Sequence, residues 1–106
     1  MLFRSDGATL VVPADLPPAS VAEVQQLALD VFGILRCEGL ARVDFFLASD
    51  GRGFLCNEVN TMPGFTPISM YPKLWQASGV SYPELIDHLV ELALERHRRR
   101  RRNTTR

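Results

Sequence analysis

The sequence predicts an α+β fold, an antiparallel sheet with helices packed on one face. Three observations predict it. Two β-prone runs, residues 40–48 and 54–60, are joined by a glycine-containing loop, an apolar stripe at helical spacing precedes them, and a second such stripe follows. A chain of 106 residues can enclose one small core, and 46% hydrophobic with 23% charged residues is the composition of a folding chain rather than a disordered one. The expected organisation is one domain over residues 1–97 and a basic, disordered tail over 98–106.

Residues 9–12 are a short β-prone run closed by Pro13. Pro17 and Pro18 then lead to Ser20, which with Glu23 offers a capping box for a helix. Val21, Val24, Ala28, Val31 and Leu35 recur at steps of three or four, with Leu27 and Phe32 widening the stripe, as in a helix lying on a sheet. The β-prone runs that follow are separated by Ser49, Asp50, Gly51, Arg52 and Gly53, a five-residue hairpin loop. Residues 61–67, with Pro63, Gly64 and Pro67, lack periodicity and read as a structured loop. A short helix is expected over about 69–78, stopped by Gly79. Ser81 with Glu84 forms another capping box, and Tyr82, Leu85, Ile86, Leu89, Val90 and Ala93 make the stripe of a final helix reaching about His97.

The net charge of zero hides a polarity: seven of the twelve basic residues lie in the last eleven positions, which leaves 5 basic against 12 acidic residues before them, a net of −7. An acidic body does not suit a nucleic-acid platform, but gathered carboxylates suit hard cations. No run approaches the roughly 20 apolar residues of a membrane span, and the N-terminus lacks the build of a signal peptide, so a cytoplasmic protein is expected. Cys37 and Cys56 lack metal-site spacing and read as free thiols.

Strand alternation puts Arg42, Asp44 and Phe46 on one face of the first strand, and Phe54, Cys56, Glu58 and Asn60 on one face of the second. Pairing symmetric about Gly51 sets Asp44 opposite Glu58 and Arg42 opposite Asn60, with opposed Cβ atoms about 5 Å apart. At an effective dielectric of about 20, two carboxylates at that distance repel by about 3 kcal/mol, so a cation belongs beside them. Arg42 can be that cation. The Asp, Glu and Asn oxygens together also suit Mg²⁺, which would point to phosphoryl chemistry. On spacing alone, a solvated hairpin face with a surface salt bridge is an equal alternative.

The string GLARVDFFL at 39–47, then NEVNTMPGFTPIS at 57–69, resembles the signature of bacterial D-alanine:D-alanine ligases of the ATP-grasp superfamily. The similarity extends through Met70, Tyr71, Pro72 and Lys73 to SYPELID at 81–87, and upstream to VPADLPP at 12–18. The resemblance implies the C-terminal part of an ATP-grasp domain in an enzyme that joins two D-alanines for peptidoglycan synthesis through an acyl phosphate. It implies ATP and two Mg²⁺ ions, or Mn²⁺, with Asp44 and Glu58 holding one ion and Glu58 with Asn60 the other. Phe46, Asn57 and Glu58 would lie on the ATP side, although Phe46 on its own reads more readily as a core residue. Arg42 would meet the transferring phosphate, Gly64 would supply an oxyanion-site N–H, and Ser69 and Met70 would receive the second D-alanine's carboxylate.

A ligase of this kind also has an N-terminal domain and an ATP-cradling central part, and neither is in this sequence. The partners implied are therefore D-alanine, ATP and the remainder of a ligase, with a homodimer allowed and neither nucleic acid nor membrane. The alternative is a non-catalytic, truncated remnant or interaction module, and D-lactate or D-serine is an open second substrate. His88 and His97 read as solvated or capping residues, Trp75 as an anchor for the preceding loop, and the arginine run as a fraying tip and passive tail.

Overall fold

The computed structural model describes residues 2–4 and 7–104. The chain divides into two compact units, Met1–Gly64 and Phe65–Arg106, a division that nothing in the sequence pattern signals. The first unit contains β1 (Leu2–Arg4), β2 (Gly7–Thr9), α1 (Pro18–Ile34), β3 (Arg42–Ala48) and β4 (Gly53–Asn60). Among the described residues its strands form two antiparallel pairs, β1 with β2 and β3 with β4, and α1 packs on β3.

The β-prone run at 9–12 contributes only Thr9 to a strand. Leu2 is paired with Thr9, so residues 10–12 run past the end of their partner and have no ladder to join. Nor does α1 start from Ser20. It begins at Pro18, after Pro17, with no side-chain cap. The fixed φ of proline suits the first helical position, where its missing N–H has no partner to lose. Val21, Val24, Leu27, Ala28, Val31 and Phe32 are half-buried as their spacing predicts, whereas Leu35 lies past the helix end and is 56% exposed. There Cys37 N–H donates to Phe32 C=O and Arg36 N–H to Gly33 C=O, closing a Schellman turn with Arg36 at φ 54°.

The hairpin turn is four residues long, since Gly53 joins β4 opposite Ala48. Asp50 organises it by accepting from Arg52 N–H and Nε at 3.2 and 2.7 Å. That bond lowers the Asp50 pKa from its ordinary value.

The second unit contains α2 (Met70–Ala77) and α3 (Tyr82–Thr104), packed on each other. Gly79, at φ 94°, stops α2 in a Schellman turn as expected. Ser81 caps α3 together with Glu84: Ser81 Oγ accepts Glu84 N–H at 3.3 Å and donates to the Glu84 carboxylate at 3.1 Å. Phe65, Tyr71 and Tyr82 make a ring cluster, with Phe65 centroids 5.8 and 5.5 Å from the two tyrosines. Tyr82 Oη donates to Phe65 C=O at 2.8 Å, which explains an ordered yet aperiodic segment before α2. Tyr71, Pro72 and Leu85 are buried here, and burial raises the Tyr71 pKa. Trp75 packs edge-on against Tyr71 but remains 42% exposed.

The final helix does not end near His97 but continues to Thr104. Arginine is a good helix former and nothing in 98–104 breaks a helix, so the run lengthens α3 where a fraying tip is expected. Thr105 and Arg106, the last residues of the expected tail, lie outside the described residues. No helix among the described residues is long and apolar enough to cross a membrane.

Candidate metal and phosphate site

The pairing of β3 with β4 sets Arg42 opposite Asn60, Val43 opposite Val59 and Asp44 opposite Glu58, as the symmetric register predicts. Beyond that point the register changes: Phe45 faces Cys56 and Phe46 faces Leu55, leaving Asn57 as an extra residue in a β-bulge. The symmetric expectation therefore fails for half of the hairpin. Cys56 and Phe54 move to the face opposite the carboxylates, where Phe54 meets Phe45 edge-on at 6.3 Å. Leu55 takes their place beside Phe46. Phe46 is 56% exposed, so its reading as a core residue is wrong.

Arg42 and Asp44 are two apart on β3 and project from one face. The guanidinium forks onto the carboxylate, Nε to Oδ1 at 3.0 Å and Nη2 to Oδ2 at 3.1 Å, and Nη2 lies 3.9 Å from Glu58 Oε1. The cation required by two opposed carboxylates is thus supplied from within the strand. The hydrogen bond to Asp44 raises the Arg42 pKa, against partial desolvation, so Arg42 stays charged. Glu58 is more open, with its side chain 58% exposed against 26% for Asp44.

Asn60 Oδ1 accepts Met62 N–H at 3.0 Å, which turns the chain out of β4. Asn57, at the bulge, and Gly64, in the loop, are both exposed. Ser69 and Met70 belong to the second unit, at the start of α2. Ser69 Oγ accepts Thr66 N–H at 3.0 Å and lies 2.7 Å from Thr66 Oγ1, so the hydroxyl braces its own turn instead of capping the helix. His88 and His97 are exposed on α3, and Cys37 and Cys56 are free thiols.

Among the described residues no group of three or more His, Cys, Asp or Glu could hold a metal ion. The donors on this face are instead two carboxylates and one carboxamide. Such a set fits Mg²⁺, which takes few protein oxygens and completes its shell with water and phosphate. The fit has a condition, because both Asp44 oxygens are committed to Arg42. The bulge itself carries no signal in residue type, so strand alternation alone does not reveal it.

The α+β arrangement of these elements is found in solved ligase structures. The D-alanine–D-alanine ligase of Coxiella burnetii superposes with a TM-score of 0.84 at 47% identity, over 90% of this chain and 27% of that one. The Bacillus anthracis enzyme, solved complexed with ATP, gives 0.72 at 31% identity, over 81% and 30%. The D-alanine–D-alanine ligase of Streptomyces avermitilis is 63% identical over 86 residues, 81% of this chain and 22% of its own. The family described as D-ala D-ala ligase C-terminus matches residues 3–91, and the chain belongs to that family. It spans about a quarter of the length of the curated relatives it matches.

Proposed function

We propose that this chain supplies the metal-binding and oxyanion part of an ATP-dependent D-alanine–D-alanine ligase. The observation that carries the reading is Asp44 set directly opposite Glu58, beside Arg42 and Asn60, on one face of a family hairpin. In the reaction, the γ-phosphoryl of ATP passes to the carboxylate of one D-alanine, giving an acyl phosphate and ADP. The amine of a second D-alanine then attacks the acyl carbon, phosphate leaves, and the amine gives up a proton as the peptide bond forms.

Asp44, Glu58 and Asn60 would hold Mg²⁺, which when bound would supply neutralisation of phosphate charge. Arg42 contributes the fixed positive charge that phosphoryl and tetrahedral oxyanions call for. Gly64 N–H assists at the oxyanion, and Ser69 Oγ and Met70 N–H receive the second D-alanine's carboxylate. Phe46, exposed on the carboxylate face, and Asn57, projecting at the bulge, lie on the nucleotide side. An ATP-consuming reaction on free amino acids places the enzyme in the cytoplasm.

The test is a hybrid. Residues 3–91 replace the matching segment of the Streptomyces avermitilis ligase, and dipeptide formation is followed by phosphate release. The expected result is an active hybrid, and no dipeptide from the 106-residue chain alone. A folded hybrid without turnover would sink the reading in favour of a non-catalytic module.

A further inference from the structure

Asp44 has two oxygens, and Arg42 uses both of them, at 3.0 and 3.1 Å. A divalent cation bound to Asp44 needs at least one of those oxygens at roughly 2.1 Å, and its two positive charges would repel a guanidinium that close. Each therefore weakens the other's hold on the carboxylate. Glu58 offers Arg42 no equal alternative: at 3.9 Å it is beyond hydrogen-bond reach, and it is the second oxygen donor such a cation would take.

We infer that Arg42 and a divalent cation exchange places on Asp44, so that loading the carboxylate pair releases the guanidinium to meet an anion. This rests on the metal-holding role proposed for Asp44 and Glu58, and adds an order of events. Until the cation arrives, Arg42 holds the repelling carboxylates together. Afterwards that charge is neutralised, and the planar fork that matched a carboxylate matches a phosphate equally well. Arg42 thereby acts as a switch that makes anion binding follow metal binding.

The experiment uses the full chain, with Mn²⁺ affinity read from the free-ion electron paramagnetic resonance signal and the Arg42 side chain followed through its ¹⁵Nε–H resonance. Arg42→Gln should bind Mn²⁺ on the order of tenfold more tightly than the parent, the equivalent of one charge-assisted contact no longer in competition. Arg42→Lys, which keeps the charge but loses the fork, should fall between. In the parent, Mg²⁺ should shift the Nε–H resonance, and inorganic phosphate should shift it further only when Mg²⁺ is present. An unmoved resonance with Mg²⁺ bound, or phosphate acting equally without Mg²⁺, would overturn the exchange alone. Loss of tightening in Arg42→Gln would do the same, and should that variant not fold, the resonance and the lysine variant still decide. Mn²⁺ binding that is absent, or indifferent to Asp44→Asn and Glu58→Gln, would overturn both the exchange and the metal assignment beneath it.

Discussion

Replacing Glu58 by Gln separates two roles that a carboxylate on this face can have. Its nearest cation is Arg42 at 3.9 Å, its side chain is 58% exposed, and Asp44 opposite repels it. Exposed ion pairs contribute about 0–1 kcal/mol, and relief of the repulsion offsets even that. Glu58→Gln should therefore change unfolding free energy in urea by no more than about 0.5 kcal/mol. In the hybrid ligase the same change should lower turnover by on the order of 100-fold or more, since it removes a carboxylate proposed to hold metal. A loss of several kcal/mol with turnover kept would make Glu58 a structural partner of Arg42 and end the metal assignment.

At the scale of elements, α3 shows where a helix can extend without a core to hold it. Its buried side, with Leu85, lies in its first turns, while 98–102 are exposed. Deleting 98–106 should lower helical circular dichroism in proportion to the turns lost, yet move the melting temperature by about 2 °C or less. A drop of several degrees would show that the arginine turns pack. What the sequence discloses also differs by element. Apolar spacing locates α1 and α3, and capping chemistry locates the start of α3, because burial and hydrogen bonding act on residue type directly. The end of α3 is hidden because arginine serves a helix and a solvated tail equally. In the hairpin, the pairs nearest the loop that leaves it are legible from alternation, and Asp44 faces Glu58 as expected. The bulge at Asn57 is not, because alternation assumes one residue per step on both strands, so it misassigns Cys56 and Phe54. The hydrogen bonds of Ser69 are equally hidden, since residue type does not say which neighbour a serine hydroxyl bonds.

Across the whole molecule, apolar side chains outnumber the places in which to bury them. Tyr71 and Leu85 are buried, whereas Ile34, Met62 and Ile68 are 78%, 88% and 80% exposed. Side chains of this kind are what a covering partner would bury. The chain spans about a quarter of its relatives, and under the proposed function the remainder of a ligase would cover these side chains. The 106-residue chain should accordingly enhance the fluorescence of an apolar dye such as ANS, and the hybrid ligase should do so much less per molecule. Equal enhancement would mean that these faces stay open in a complete enzyme, against the fragment-in-ligase reading.

The turn that ends α1 bears on how this protein can change. Arg36 sits there at φ 54°, a left-handed conformation that costs a side-chain-bearing residue about 1 kcal/mol relative to glycine. Every arginine codon becomes a glycine codon by one base change in the first position, so a more stable neighbour lies a single mutation away. Arg36→Gly should raise stability by about 0.5 kcal/mol, the relieved strain less the added freedom of the unfolded chain. A lineage under heat or drift has that step available without touching the carboxylate face, and an unchanged or lowered melting temperature in the variant would show that the arginine side chain contributes more than its backbone costs.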